Sequence, residues 1–276
     1  MKKIIVDGHM HLGRDPAIFC PGGSFEKLLS SMESLGISRC YSSHYYWLTG
    51  RIEDGYRASV EGYEESGGTI PFFGVYDPRK SLLSLRSFDR CLKHPGFIGI
   101  KIHPSIHRVF GNDKSYLPVW TYAKDNKLPI LSHTWSITSN PVQKFSSPPL
   151  FAGYIESFGD VVFVMGHSGG RGLGQEEAVS MAKKYPNVYL DIAGDIFCHG
   201  LLSRLVEALG AEKIIFGSDW PWFDPMCYLP RISLSPLDAA ARSLILGINA
   251  LRIFEPGLLK KLEEDDGGSH VRKGST

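Results

Sequence analysis

The stretch IIVDGHMHL, residues 4–12, runs from β-branched apolar residues into two histidines one position apart, His9 and His11. A short apolar run of this composition reads as a buried strand. Residues two apart on a strand face the same side, so both imidazoles are expected to point one way and Met10 the other. The same construction, an apolar run ending in polar residues, recurs at RCYSSH (39–44), TIPFFGVYDP (69–78), GFIGIKIHP (96–104), LPILSHT (128–134), VVFVMGHS (161–168), NVYLDIAG (187–194) and KIIFGSDWP (213–221). With the first strand at 4–9, that makes eight. Between them lie amphipathic stretches such as FEKLLSSMESLG, SLLSLRSFDRCL, LPVWTYAKDN, EEAVSMAKKY and LLSRLVEALG, several stopped by Gly36, Asn126 or Gly210. Eight alternating strand and helix units in about 250 residues have the size and rhythm of an α/β (β/α)8 TIM barrel. An open doubly wound sheet would want a GxGxxG turn after an early strand, and DGHMHLG does not supply one.

A closing helix, LDAAARSLILGINALRIFE, is expected after the eighth strand, so residues 1–262 form one barrel domain. From Glu263 the sequence EEDDGGSHVRKGST is polar and glycine-rich, and 263–276 are expected to be a disordered tail. The 276 residues are 43% hydrophobic, and 30 basic residues face 29 acidic ones for a net charge of +1. No global field then favours nucleic acid or an anionic membrane, and a small molecule is the expected partner. The five cysteines are scattered without a CxxC pair, which fits neither a disulfide framework nor a thiolate zinc site. The apolar stretch before Asp7 is too short for a signal-peptide core. A cytoplasmic location is the expectation, with a homodimer as a common assembly of such folds.

In a barrel all eight carboxyl ends of the strands converge on one mouth. His9 and His11 stand at that end of strand one, Lys101 and His103 at strand four, His133 at strand five, His167 at strand six and Asp219 at strand eight. His9, His11, His133 and Asp219 together make a nitrogen and oxygen set that suits one divalent ion, zinc first, with Mn2+, Fe2+ or Co2+ as alternatives. His44, His94, His107, His199 and His270 read as ordinary surface or hydrogen-bonded histidines. The loops that follow the strands carry Tyr45, Tyr46, Trp47, Trp135, Trp220, Trp222 and Phe223, walls that suit a flat substrate. Arg14, Arg79 and Lys101 could neutralise a substrate carboxylate. Asp7 is expected on the face of the two histidines, one pleat deeper, where it could hydrogen-bond a ligand. Asp195, after strand seven, is a weaker candidate for substrate binding.

DGHMH, GIKIHP, LSHT, MGHSGG, FGSDWP and NALRIF together resemble the amidohydrolase superfamily, more narrowly the amidohydrolase-2 branch that includes aminocarboxymuconate-semialdehyde decarboxylase. The resemblance spans roughly residues 1–255. It implies that His9, His11, His133 and Asp219 hold the metal while His167 acts as acid or base beside it. In two-metal relatives the strand-six histidine and a carbamylated lysine bind a second ion, so Lys101 and His167 are candidates for that role, with one metal favoured. TatD-like nucleases carry a glutamate where this chain has Lys101, which argues against that relative.

The first functional expectation is a metal-dependent hydrolase acting on an ester, lactone or amide of a small carboxylated substrate. Asp219 would take the proton of the attacking water and His167 would polarise the carbonyl. The alternative is a non-oxidative decarboxylase of an aromatic or dienoic acid. Arg14, Trp135 and Trp220 are the candidate substrate contacts. A barrel that binds a ligand without turnover is disfavoured, because a structural metal site needs no spare acid or base.

Overall fold

The computed structural model describes residues 4–14, 20–136 and 141–271, with side chains as far as 266. Eight strands lie side by side in chain order: β1 (Val6–Leu12), β2 (Arg39–His44), β3 (Phe72–Tyr76), β4 (Phe97–Ile102), β5 (Ile130–His133), β6 (Phe163–Gly166), β7 (Val188–Asp191) and β8 (Ile214–Ile215). Every adjacent pair is parallel. This is the TIM-barrel fold in a single domain, as expected.

The eighth strand differs from its expected span of 213–221. Only Ile214–Ile215 keeps a regular ladder with β7, because the next amide, Phe216 N–H, donates to Ile245 O at 2.9 Å, and the chain then turns through a left-handed Asp219 (φ 67). The continuation still closes the barrel against β1. Gly8 N–H donates to Phe216 O (2.9 Å), Asp219 N–H to His9 O (2.8 Å) and His11 N–H to Trp220 O (2.7 Å). Gly8 is required here, since a Cβ would stand 2.7 Å from Ile215 Cγ2 and 3.1 Å from Phe216 O.

The floor of the barrel is apolar. Val6, Tyr41, Phe73, Ile98, Leu131, Val164 and Ile215, from seven strands, form one buried cluster with Ala250, Leu251 and Phe254 of the closing segment. Met10, Leu12, Phe72, Ile100, Ile102, Phe163 and Met165 pack instead with helix residues such as Leu28, Met32 and Phe88. In β1 and β4 the inward side changes parity on the way up. Val6 and Ile98 point to the floor, yet Met10 and Ile100 point to the helices. The register shifts between Asp7 and Met10 in β1, and between Phe72 and Phe73 where β3 meets β4. Such bulges re-aim side chains. Here they leave His9, His11 and Lys101 facing inward above an apolar plug.

The crossover helices match the amphipathic stretches: Phe25–Leu35, Ser81–Cys91, Leu117–Asp125, Leu173–Lys184 and Leu201–Leu209. Gly36 ends the first with a left-handed turn (φ 67) whose N–H caps Glu33 O and Met32 O. The closing segment is helical throughout, Ala239–Ser243 passing through a π-helical stretch at Leu244–Ile248 into Asn249–Phe254. Asn249 Nδ2 donates to Ala211 O and Ile214 O, both at 2.8 Å, which ties this segment to the foot of β8. A further helix, Pro256–Val271, runs into the stretch where a tail was expected from Glu263. The run LLKKLEED is rich in strong helix formers, which carry the helix past the composition change. Residues 272–276 lie outside the described residues. No described helix is long and apolar enough to cross a membrane.

One ion pair fastens the underside. Arg39 Nε and Nη2 donate to the two oxygens of Glu255 (2.6 and 2.7 Å), and the buried Tyr41 hydroxyl donates to the same carboxylate at 2.7 Å. Glu255→Ala would leave Arg39 and Tyr41 without their acceptor in a mostly buried setting. The expected loss is about 2 kcal/mol of unfolding free energy in urea titration. An unchanged midpoint would contradict this role.

Candidate metal centre and active site

His9, His11 and Asp219 bring three potential ligand atoms within 4.8 Å of one another, all buried. Asp219 Oδ1 lies 3.2 Å from His11 Nε2 and 3.8 Å from His9 Nε2. The other nitrogen of each ring fixes what these atoms carry. His9 Nδ1 donates to Asp191 Oδ2 at 2.8 Å, and His11 Nδ1 donates to Ser43 O at 3.2 Å, with Ser43 Oγ at 2.9 Å. Both Nε2 atoms of the neutral rings are therefore bare lone pairs. They face a carboxylate oxygen that is buried and has no hydrogen-bond partner. Lone pairs facing an anionic oxygen repel unless a cation lies among them.

That geometry fits a divalent ion. Ligand atoms about 2.1 Å from a tetrahedral centre stand about 3.4 Å apart, and the observed separations bracket this value. Among the described residues the Lys101 ammonium is the cation that reaches this triplet, buried, with Nζ donating to His9 Nε2 at 2.6 Å. It stands in for the positive charge the site calls for. Burial pushes Lys101 down to about 8, although Asp191 and Asp219 pull the other way. Burial, then Lys101 and His167, hold His9 well below the ordinary histidine range. His11 is also lowered by burial, with Asp219 opposing.

His133 stands apart from this triplet. Its Nδ1 faces His167 Nε2 at 3.0 Å and its Nε2 faces Gln143 Oε1 at 2.9 Å, while its ring stacks on His103 at 4.0 Å. His167 Nδ1 in turn donates to Ala193 O at 3.0 Å. The chain Ala193 O, His167, His133, Gln143 Oε1 has an acceptor at each end and three hydrogen bonds. His133 is held well below the ordinary histidine range by burial and then by His167. His167 and Ser168 adopt left-handed conformations (φ 61 and 47) on leaving β6, a strain that packing around the site sustains.

Trp135 lies 5.4 Å from the His167 ring and 6.2 Å, stacked, from His133. Trp222 lies 4.9 Å from His11. Trp220 and the exposed Arg14 line a cleft of about 280 Å³ that reaches His11. Arg79 is engaged by Asp77 in a bidentate pair, at 2.8 and 2.7 Å, and is not turned to the centre as a free cation. After β2, Trp47 is fully buried among core residues, Tyr46 is exposed, and Tyr45 meets Trp222 edge-on at 6.4 Å. Asp195 pairs with Arg171. Asp7 does not reach a ligand ring. The bulge in β1 turns Oδ1 to Ser218 N–H (2.9 Å) and His9 N–H (3.3 Å), and burial raises its carboxyl to about 7. The residues missed from sequence are Asp191, Ser43 and Gln143. Asp191 had a signal, a lone carboxylate in the apolar run VYLDIA; the other two had none.

A family model described as amidohydrolase matches residues 55–255. A search of curated proteins finds no match by sequence. Among solved structures, an uncharacterized TIM-barrel protein from Bordetella bronchiseptica superposes with a TM-score of 0.73 at 16% identity, covering 90% of this chain and 97% of that one. A 2,6-dihydroxybenzoate decarboxylase complexed with 2,6-dihydroxybenzoate gives 0.71 at 16% identity over 92% and 99%. A dihydroxybenzoic acid decarboxylase from a Polaromonas species, with bound manganese and the inhibitor 2-nitroresorcinol, gives 0.70 at 16% identity over 92% and 97%. At such identities the likeness is one of fold.

Two histidines outside the centre set a pH dependence. Burial, aided at His44 by Arg51 and opposed at His107 by Asp77, lowers both to about 4. The unfolded chain protonates them near 6.5, so between those values it binds more protons than the native state. With chelator present, the melting temperature is expected to fall steadily as pH drops from 6.5 to 4, and His107→Gln to flatten part of that slope. A melting temperature constant across this window would contradict the assignment.

Proposed function

This chain belongs to the amidohydrolase family, and from that premise we propose that it is a metal-dependent enzyme that decarboxylates a small aromatic or dienoic acid without net oxidation. The observation that carries this reading is the placement of His167 beside the candidate metal ligands, hydrogen-bonded between Ala193 O and His133 and flanked by Trp135. A divalent ion held by His9, His11 and Asp219, with His133 as the fourth candidate, would supply Lewis-acid polarisation of substrate oxygens. Zinc remains the first choice for the donor set, and the manganese in the Polaromonas decarboxylase supports that ion as the alternative.

The chain's own groups support the remaining steps. Trp135 and Trp222 offer flat apolar surfaces beside the imidazoles, suited to an aromatic or conjugated substrate. Arg14 and Lys101 supply positive charge for a carboxylate or phenolate. As the bond to the carboxylate carbon breaks, its electron pair stays on the substrate and CO2 leaves. His167 delivers its proton to the vacated carbon and is reprotonated from solvent.

The hydrolytic reading needs Asp219 to accept a proton from water. Decarboxylases among the similar solved structures rank hydrolysis second. Near-neutral charge supports a small molecule as partner, and five scattered cysteines without a CxxC pair support a cytoplasmic home. Zn2+- or Mn2+-loaded protein would be offered dihydroxybenzoic and dienoic acids alongside lactones and esters. Expected is CO2 release, one deuterium at the vacated carbon in D2O, and a 10²- to 10⁴-fold fall in kcat for His167→Asn with metal content retained. Acid release from lactones or esters with no CO2 from any acid would overturn the decarboxylase reading in favour of hydrolysis.

A further inference from the structure

We propose that Asp191 is the positioning residue of the centre, one carboxylate that fixes both the ring of His9 and the turn carrying His167. Asp191 is fully buried at the end of β7. Its Oδ2 accepts from His9 Nδ1 at 2.8 Å. Its Oδ1 accepts from His167 N–H at 2.7 Å and Ala193 N–H at 3.0 Å, and its backbone carbonyl accepts from Ser168 Oγ at 2.6 Å. Ala193 is the same residue whose carbonyl receives His167 Nδ1. One side chain thus spans three strands, β1, β6 and β7.

The carboxylate accepts only, so it compels His9 to carry its proton on Nδ1 and present Nε2 as a lone pair. A ring held in the other tautomer would turn an N–H toward the centre and could not ligate there. The second oxygen anchors the amides on either side of the left-handed turn at His167 and Ser168. The claim about His9 is independent of the reaction; the claim about His167 rests on the proton-donor role proposed above.

Asp191→Asn separates these contacts. Asn Oδ1 still accepts from the two backbone amides, but Nδ2 can only donate, so His9 Nδ1 must become an acceptor and the proton moves to Nε2. Expected is a 10- to 100-fold weaker Kd for Zn2+, by competition with a chromophoric chelator, with an unchanged far-ultraviolet circular dichroism spectrum. In 15N-histidine spectra of the metal-free protein, His9 should be Nδ1-protonated in the wild type and Nε2-protonated in the variant. Wild-type Zn2+ affinity in Asp191→Asn would overturn the proposal. So would a wild-type His9 protonated on Nε2, a measurement that stands even if the variant fails to fold. Should the wild type itself take up no Zn2+, the metal reading fails, while the His9 tautomer still decides the role of Asp191.

Discussion

Two imidazole nitrogens without protons and one carboxylate oxygen without a hydrogen bond are buried together at the mouth of this barrel, His9 Nε2, His11 Nε2 and Asp219 Oδ1. Burying such a set is unfavourable by itself, since desolvation removes the water that would separate the charges and lone pairs. Two things offset the cost here. A cation belongs at the centre, and Lys101 supplies a tethered one from β4, across the barrel from β1. The surrounding carbonyls and carboxylates, Ser43 O and Asp191, then determine which nitrogen of each ring is bare.

The scaffold bends its own rules to hold that set. A regular barrel would stack apolar side chains inside, and this one does so at its floor. Above it, bulges in β1 and β4 change which residues face in. Space for His9 comes from residues that lack a side chain: a Cβ at Gly217 would stand 2.8 Å from His9 Cβ, and one at Gly166 3.0 Å from His9 Cε1. The chain leaving β8 closes the barrel on β1 by bonds from and to His9, His11 and Asp219. Closure of the fold and assembly of the centre are therefore the same set of contacts.

The eight-strand count, the helices between them and the gathering of His9, His11, Lys101, His133, His167 and Asp219 at one end were legible because each rests on local pattern. Alternation of apolar runs gives strands, and strand ends in a barrel have one destination. What was not legible depends on bulges and on side-chain rotamers. A straight-strand reading aims Asp7 along the face of His9, and a register slip moves it to Ser218 instead. The length of β8 was overread because the chain leaves the β7 ladder at Phe216, whose N–H donates to Ile245 O, before the polar GSDWP end that the sequence pattern counts with the strand. Gln143 reaches His133 from a loop whose sequence carries no periodic signal. Arg79 looked like a free cation, yet its partner Asp77 sits two residues before it, close enough that the pairing was readable in hindsight from the DPR order alone.

X-ray absorption at the zinc edge of the Zn2+-loaded protein tests the central claim most directly. The account predicts a shell of nitrogen and oxygen atoms at about 2.0–2.2 Å, with the outer scattering of at least two imidazoles, lost in His9→Ala. A spectrum with oxygen neighbours only and no imidazole scattering, or one unaltered in His9→Ala, would contradict it.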